Sequence, residues 1–166
     1  AVFPFRLSAL ESHMPRYWIV VGGPEVFEKT RELGFTLQGF KSTRRIMAHK
    51  IVPGDMLAFY ITGKKQFGAI ARVTSNVAEE RTRIWHNSKK PDELYPYRAS
   101  IEPVITLDEP NWPDAEPYHD RFQWTQRWPR ANWTLAYQGN LHEIPEADFK
   151  LLEHDMAAAG KVIPAS

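Results

Sequence analysis

Aromatic and basic residues recur at the ends of the predicted strands and helices, where a small barrel exposes side chains at its mouth. An aromatic ring stabilises an unpaired base stacked on it by about 1 to 3 kcal/mol, while Lys and Arg contact the adjacent phosphates. The pattern therefore indicates binding of single-stranded or flipped-out nucleic acid. The candidate base-binding residues are Trp18, Phe40, Ser42, Tyr60, Thr62 and Trp85, and the candidate phosphate-binding residues are Lys41, Lys64, Lys65 and Arg98.

Spacing alone leaves the role of each ring open. Every aromatic in this set also fits a hydrophobic core, and Trp18, on the first predicted strand, faces either a pocket or the core. The hydroxyls of Tyr60 and Thr62 lie at a strand end, where they could bind a base edge, but a tyrosine at such a position ordinarily packs against other side chains. The other aromatic assignments are Trp124 and Trp128 as weaker ligand contacts beside Arg127, and Trp133 and Tyr137 as core residues.

Acidic residues offer a second hypothesis, an enzyme acting on nucleotides or nucleic acid. Asp114, Glu116 and Asp120 lie close together in a proline-rich segment that also contains His119, and an acid and base pair needs such groups. A solvated acidic loop is the favoured interpretation of these residues. The chain has no glycine-rich phosphate loop, no paired-histidine helix motif and no nucleophile elbow, and its six histidines lack metal-ligand spacing. We predict no catalytic residue, no metal and no cofactor.

The composition fits one small domain that binds its partner locally. The chain has 166 residues and a formal net charge of +1 from 21 basic and 20 acidic residues, far from the basic excess of proteins that hold long duplexes. It contains no cysteine, so a reducing cytoplasm is the expected compartment. Because no run approaches the roughly 20 apolar residues of a membrane span, we expect no membrane partner.

Strand and helix signals place the candidate residues on a mixed fold. The first apolar run is aromatic and β-branched, and Pro24 and Gly34 bound the helix that follows it. The predicted elements of this half are a strand over 17–21, a helix over 24–33, a helix from Ser42, and a hairpin of strands 56–61 and 67–74.

The second half of the chain is richer in polar residues and prolines. Pro103 interrupts one alternating segment and predicts an edge or bulged strand. The predicted elements here are a long excursion over 76–96 with one strand at 83–85, a strand over 97–107, an irregular segment over 108–130, a strand over 133–137 and a helix opened by Pro145. This order predicts an α+β fold, a small mixed β-barrel with helices packed on the outside.

The predicted domain covers residues 14–156. The preceding residues end in Ser-His-Met, which is typical of a cloning junction, so 1–13 are expected to be a tag or a disordered extension. Residues 157–166 are expected to form a flexible tail.

Five segments, taken in order, resemble the EVE domain, and the resemblance covers residues 14–153. The segments are 17–21, 38–42, 53–60, 67–73 and Trp133 together with 141–149. EVE domains belong to the PUA-like superfamily and are similar to YTH domains, whose aromatic cage holds a methylated adenine. The resemblance therefore implies a PUA-like barrel with a base-sized pocket.

The resemblance also implies roles for individual residues. Phe40 and Ser42 fall where the YTH domain has a cage tryptophan and a backbone-contacting serine, and Trp85 falls near its second cage tryptophan. EVE domains are thought to read modified bases, among them methylated or hydroxymethylated cytosine. The expected function is a binding module for a modified or flipped-out base, methyl-adenine included, and the expected partner is DNA or RNA that carries such a base.

A third hypothesis keeps the barrel but gives it no base pocket. In this alternative the aromatics form a flat exposed patch that binds protein or RNA. A concave pocket the size of one base would argue against it.

Overall fold

The computed structural model describes residues 14–163, so the predicted extension over 1–13 lies outside the described residues. The strands are β1 (Tyr17–Gly22), β2 (Leu37–Phe40), β3 (Met56–Ile61), β4 (Gln66–Val73), β5 (Ala78–Glu79), β6 (Tyr97–Thr106), β7 (Leu141–Ile144) and β8 (Lys161–Val162). The α-helices are α1 (Pro24–Glu32), α2 (Arg45–Ala48) and α3 (Glu146–Ala159). Segments of 3-10 helix cover Ser42–Arg44, Glu109–Asn111, Glu116–Asp120, Trp124–Arg127 and Arg130–Tyr137.

One mixed sheet organises the molecule. Its hydrogen-bonded order is β2-β6-β4-β3-β1-β7, and β5 and β8 also pair with β6. β1 and β3 run parallel, with Tyr17 opposite Met56, because the chain crosses back through α1, β2 and α2 between them. The sheet curls into a half-barrel accompanied by a few helices. The predicted α+β class and mixed sheet are confirmed, whereas a PUA-like barrel stays a prediction.

β1, β3 and β4 form the centre of the hydrophobic core because they lie in the middle of the sheet. All residues of β3 are buried, which is typical of a strand covered on both faces. Bulges between Phe59 and Tyr60 and between Ile70 and Ala71 increase the curl. The second bulge lies opposite Pro103, so the predicted bulged strand is confirmed.

Several segments differ from the sequence-based prediction. Residues 83–85 form no strand, and the strand of the excursion is the two-residue β5. The predicted strand over 133–137 is 3-10 helix instead, and Tyr137 at its end stacks on Tyr60 of β3. β7 was not predicted because its burial does not alternate. Where we expected a flexible tail, α3 continues to Ala159 and β8 pairs with β6.

No helix among residues 14–163 is long and apolar enough to cross a membrane.

Candidate nucleic-acid interface

Trp85 is a core residue in this structure. It has 0% exposed surface, and its indole Nε1 donates a hydrogen bond to Thr30 Oγ1 at 3.1 Å. Its ring packs edge-on against Tyr95, with 6.2 Å between the ring centroids. A Cβ at Gly39 would lie 2.7 Å from this ring, so β2 packs directly on the indole. Every face and the polar atom of Trp85 are therefore occupied by protein.

Phe40 and Trp18 are also buried without exposed surface. The indole Nε1 of Trp18 donates to Asp55 Oδ2 at 3.1 Å, which satisfies the only polar atom of that ring. We therefore correct the prediction of an open pocket walled by Trp18, Phe40 and Trp85. In this structure the three rings stabilise the core, because Trp18 lies on β1, Phe40 lies on β2, and Trp85 packs against β2.

Arg98 does not face a ligand either. Only 4% of the residue is exposed, and its guanidinium donates to the carbonyl oxygens of Tyr95 and Leu94 at 3.0 Å each and to Thr82. Burial lowers the pKa of this guanidinium. The prediction of a phosphate contact is corrected here, because the donors of Arg98 bind backbone oxygens of the 76–96 excursion. A shallow groove of about 410 Å³ opens beside it.

Four of the predicted contacts remain at the surface. Thr62, Lys64 and Lys65 lie in the β3–β4 turn, where Lys64 Nζ is 3.0 Å from Glu109 Oε2. Ser42 is exposed at the end of β2, but its hydroxyl already donates to Glu93 at 2.9 Å. These positions stay candidates for ligand contact.

A cluster of aromatic rings lies where the proline-rich segment meets β7. Tyr60 stacks on Tyr137 with 4.0 Å between centroids, so its ring face is covered by protein and not open to a base. Trp124 packs edge-on against Tyr137 at 5.3 Å and stacks on His142 at 5.8 Å. Trp133 contacts Tyr137 as well, at 6.0 Å. The sequence assigned Tyr60 to a base pocket and Trp133 and Tyr137 to the core, and missed that they share one cluster.

Three tryptophans of this region are only partly buried, and we call Trp124, Trp128 and Trp133 the tryptophan surface. Trp128 contacts Trp124 at 6.2 Å, and the guanidinium of Arg127 lies 4.4 Å from the Trp128 ring centroid. The sequence feature that indicates this surface is the adjacent pair of arginine and tryptophan, Arg127 and Trp128, in an irregular segment.

Polar atoms inside the cluster have no hydrogen-bond partner among the described residues. They are Trp124 Nε1, Tyr137 OH and His142 Nε2. Leaving such a group buried and unpaired costs about 1 to 3 kcal/mol each, so their convergence on one cluster is unusual. Burial raises the pKa of Tyr60 to about 12 and also raises the pKa of Tyr137. The pKa of His142 is lowered by burial and by repulsion from Arg44 and Arg127.

Cationic side chains gather next to this cluster. Burial, together with repulsion from Lys90 and Arg44, lowers the pKa of Lys41. Lys41, Arg44 and Arg127 form no ion pair with any carboxylate in residues 14–163, although ten ion pairs occur elsewhere there. Unpaired cations beside partly exposed rings are the usual features of a surface that binds single-stranded nucleic acid.

The enclosed cavity nearest these rings is too small for a base. It has a volume of about 10 Å³, room for one water molecule, and lies between β1, α1 and β2. Asn140 closes one side of it, because its side chain donates to Val21 O and accepts from Lys41 N at 2.8 and 2.9 Å. This cavity therefore offers no pocket of the size of a base.

A family model for the EVE domain matches residues 16–154. The chain belongs to the EVE domain family. This EVE domain is 26% identical over 147 residues to a UPF0310 protein of Pyrococcus horikoshii, a match that covers 82% of this chain and 96% of the relative. The resemblance stated from the sequence is confirmed.

The EVE domain is also similar in structure to YTH domains. The YTH domain of the MRB1 protein of Zygosaccharomyces rouxii, solved in complex with N6-methyladenosine RNA, matches with a TM-score of 0.58 and 12% identity, over 93% of this chain and 90% of that one. The YTH domain-containing protein Mmi1 in complex with RNA matches with a TM-score of 0.62 and 12% identity, over 89% and 84% of the two chains. At these identities the likeness establishes a shared fold.

The acidic residues of the proline-rich segment all have side-chain partners, and two of them share one arginine. Asp114 accepts from Gln66 Nε2 at 2.9 Å, and Glu116 lies 3.7 Å from Arg130. Asp120 pairs with Arg130, and the Nε2 of His119 lies 2.9 Å from Trp128 O. No group of three possible metal ligands occurs in the part of the chain that the structure describes. These contacts support the reading of a solvated, ion-paired loop.

Proposed function

We propose that this EVE domain is a nucleic-acid-binding module that holds one modified or flipped-out base, and that it is not an enzyme. The observation that carries the proposal is the tryptophan surface, three partly exposed indoles flanked by cations without ion pairs. The fold it shares with YTH domains solved in complex with RNA supports the same class of partner. The partner is DNA or RNA.

The tryptophan surface supplies the base contact in this proposal. A base stacked on Trp128 or Trp133 gains about 1 to 3 kcal/mol, and the planar guanidinium of Arg127 extends the stacking platform. Lys41 and Arg44 lie beside the cluster and contact the flanking phosphates. Ser42, Thr62 and Lys65 are exposed near the ends of β2 and β3. They contact the nucleic-acid strand as well if it runs along these ends.

The modification that we propose is a small methyl or hydroxymethyl group on cytosine or a methyl group on adenine. A methyl group adds apolar area and favours stacking between indoles, which every base can use. Discrimination between these bases then depends on polar atoms at the base edge, because stacking alone is tolerant of sequence.

The test is the affinity of short single-stranded oligonucleotides for the wild type and for Trp128→Ala and Trp133→Ala. Fluorescence anisotropy with DNA and RNA oligonucleotides, each with and without one methylated or hydroxymethylated base, measures the dissociation constant. We expect each substitution to weaken binding roughly tenfold or more, which corresponds to about 1.4 kcal/mol of lost stacking.

Trp85→Phe is the matched control, because it changes a tryptophan that has no exposed surface. We expect its folded form to bind like the wild type. Wild-type affinity in both Trp128→Ala and Trp133→Ala would contradict the proposal, and so would the absence of binding to every oligonucleotide of the panel.

A further inference from the structure

We propose that Arg44, Arg127, Trp124, Tyr137 and His142 form a binding site for a phosphate group, which we call the oxyanion site. The inference rests on the proposed function and deepens it, because it assigns the phosphate contact to specific donors. None of these five residues was a predicted phosphate ligand.

The first side of the oxyanion site is built around Gly139. Gly139 has a φ of +83°, and a Cβ there would collide with the guanidinium of Arg44. The His142 ring is hydrogen-bonded to the backbone of Gln138 and Gly139. The turn before β7 therefore places both the guanidinium of Arg44 and the imidazole of His142 next to Gly139.

The second side is built by the 3-10 helix Trp124–Arg127. The Trp124 ring stacks on the His142 ring with 5.8 Å between centroids and an interplanar angle of 28°. Trp128 contacts Trp124, and Arg127 lies over Trp128. Arg127 is thus linked to His142 through Trp128 and Trp124, and both arginines repel a proton on the His142 ring.

The charges of this site are not compensated by protein. Neither Arg44 nor Arg127 forms an ion pair with a carboxylate of the described residues. The carboxylate that acts on the cluster is Asp148, and it already accepts the N–H groups of Gln123 and Trp124 at 2.9 Å each. Arg44 and Arg127, from distant parts of the chain, therefore both repel a proton on His142, and neither has a carboxylate partner among the described residues.

The available groups define the chemistry of the ligand. Arg44 and Arg127 offer only donors, and so does the indole Nε1 of Trp124. The hydroxyl of Tyr137 donates as well, because burial keeps it protonated. The unpartnered Nε2 of His142 becomes a donor when the ring is protonated. A ligand that matches this set has several acceptors, no donors and negative charge, which describes a tetrahedral oxyanion such as phosphate.

Binding of an oxyanion is coupled to protonation of His142. In the free protein the ring stays neutral to a lower pH than usual, because its pKa is lowered. An anion against Nε2 offsets the repulsion from Arg44 and Arg127 and raises that pKa. Affinity therefore increases as the pH falls through the pKa of the complex, and the increase stops below the pKa of the free ring. Burial raises the pKa of Tyr137, so its hydroxyl stays protonated over this range. The other charged or ionisable groups at the cluster are Tyr60, Asp148, Arg44 and Arg127.

The experiment is an NMR titration of the His142 imidazole between about pH 5 and pH 8, in sodium sulfate and in sodium chloride at equal ionic strength. Sulfate is the probe because it stays dianionic over this range. We expect the pKa of His142 to rise in sulfate, and we expect Arg44→Gln and Arg127→Gln each to weaken sulfate binding roughly tenfold. Arg45→Gln, on the neighbouring exposed residue, is the matched control and is expected to bind sulfate like the wild type. An identical pKa of His142 in the two salts would overturn the proposal.

A second arm distinguishes the two sources of phosphate. Oligonucleotides with and without a 5′-phosphate are compared with inorganic sulfate as competitor. A preference for the 5′-phosphate that Arg44→Gln removes supports a terminal phosphate, and Arg44-dependent binding without that preference supports a backbone phosphodiester. Oligonucleotide binding that is insensitive to both Arg44→Gln and Arg127→Gln overturns the oxyanion site but leaves the proposed function intact. Sulfate binding without oligonucleotide binding overturns the proposed function instead.

Discussion

Trp85 is held by a hydrogen bond to Thr30, by the ring of Tyr95 and by the backbone of Gly39. Because it has no exposed surface, its substitution acts on stability. We expect Trp85→Ala to lower the free energy of unfolding by about 3 to 5 kcal/mol, measured by urea denaturation. Trp133→Ala, at a partly exposed ring, is the matched comparison and should cost clearly less. A Trp85→Ala protein as stable as the wild type would contradict the position of this ring.

His142 makes the stability of the fold depend on pH. Its folded-state pKa is lowered, so the unfolded chain binds the proton more readily and stability decreases as the pH falls through the unfolded pKa of about 6.5 toward the folded one. We expect His142→Gln to flatten this part of the stability curve, measured by urea denaturation at about pH 7 and pH 5. His86→Gln serves as the comparison because this residue is exposed. An unchanged pH dependence in His142→Gln would contradict the assigned environment.

β2 packs tightly against the excursion at Gly39, next to the Trp85 ring and the backbone of Tyr95. Its residue Gly39 pairs with Arg98 and leaves no room for a side chain, because a Cβ there would lie 2.7 Å from Tyr95 O and from the Trp85 ring. We expect Gly39→Ala to destabilise the protein by about 1 to 3 kcal/mol or more through overpacking. Gly23→Ala is the matched control, because nothing lies within 4 Å of a Cβ at that position. The two free energies of unfolding, compared by urea denaturation, test this contact, and equal values would contradict it.

Elements with strong local signals were predictable from the sequence. β1, α1 and the β3–β4 hairpin have β-branched or aromatic runs, a proline at the helix start and a glycine in the turn. β7 was not predictable, because its only support is pairing with β1, a contact between segments more than 100 residues apart. The 3-10 helix Arg130–Tyr137 was missed for a similar reason, since its Tyr137 ring packs against Tyr60 and Trp124 and no local pattern positions it.

The candidate site was only partly predictable for the same physical reason. Residue type indicated which rings and cations could bind a base, but burial decides which of them can be reached. Trp85 and Phe40 are aromatic residues of the kind that form a base-binding cage, but both are fully covered by protein. The fold that positions the tryptophan surface depends on long-range contacts that spacing does not encode.

At the scale of the whole molecule, the near-neutral charge limits how strongly salt affects binding. The net charge is +1, and the interface contributes Lys41, Arg44 and Arg127 as cations without ion pairs in the described chain. About three phosphate contacts on a single strand predict a slope near −2 for the logarithm of the association constant against the logarithm of salt concentration. Anisotropy titrations at several salt concentrations measure this slope. A slope much steeper than this would contradict local binding.

The central claim is that nucleic acid contacts the tryptophan surface and not the buried rings. The chain has six tryptophans, and each indole N–H gives its own signal in a proton–nitrogen NMR spectrum. Titration with a short oligonucleotide that carries one modified base should shift the signals of Trp124, Trp128 and Trp133 and leave those of Trp18, Trp85 and Trp112 nearly unchanged. A bound oligonucleotide that shifts the signals of Trp18 and Trp85 while those of the tryptophan surface stay in place would contradict the account.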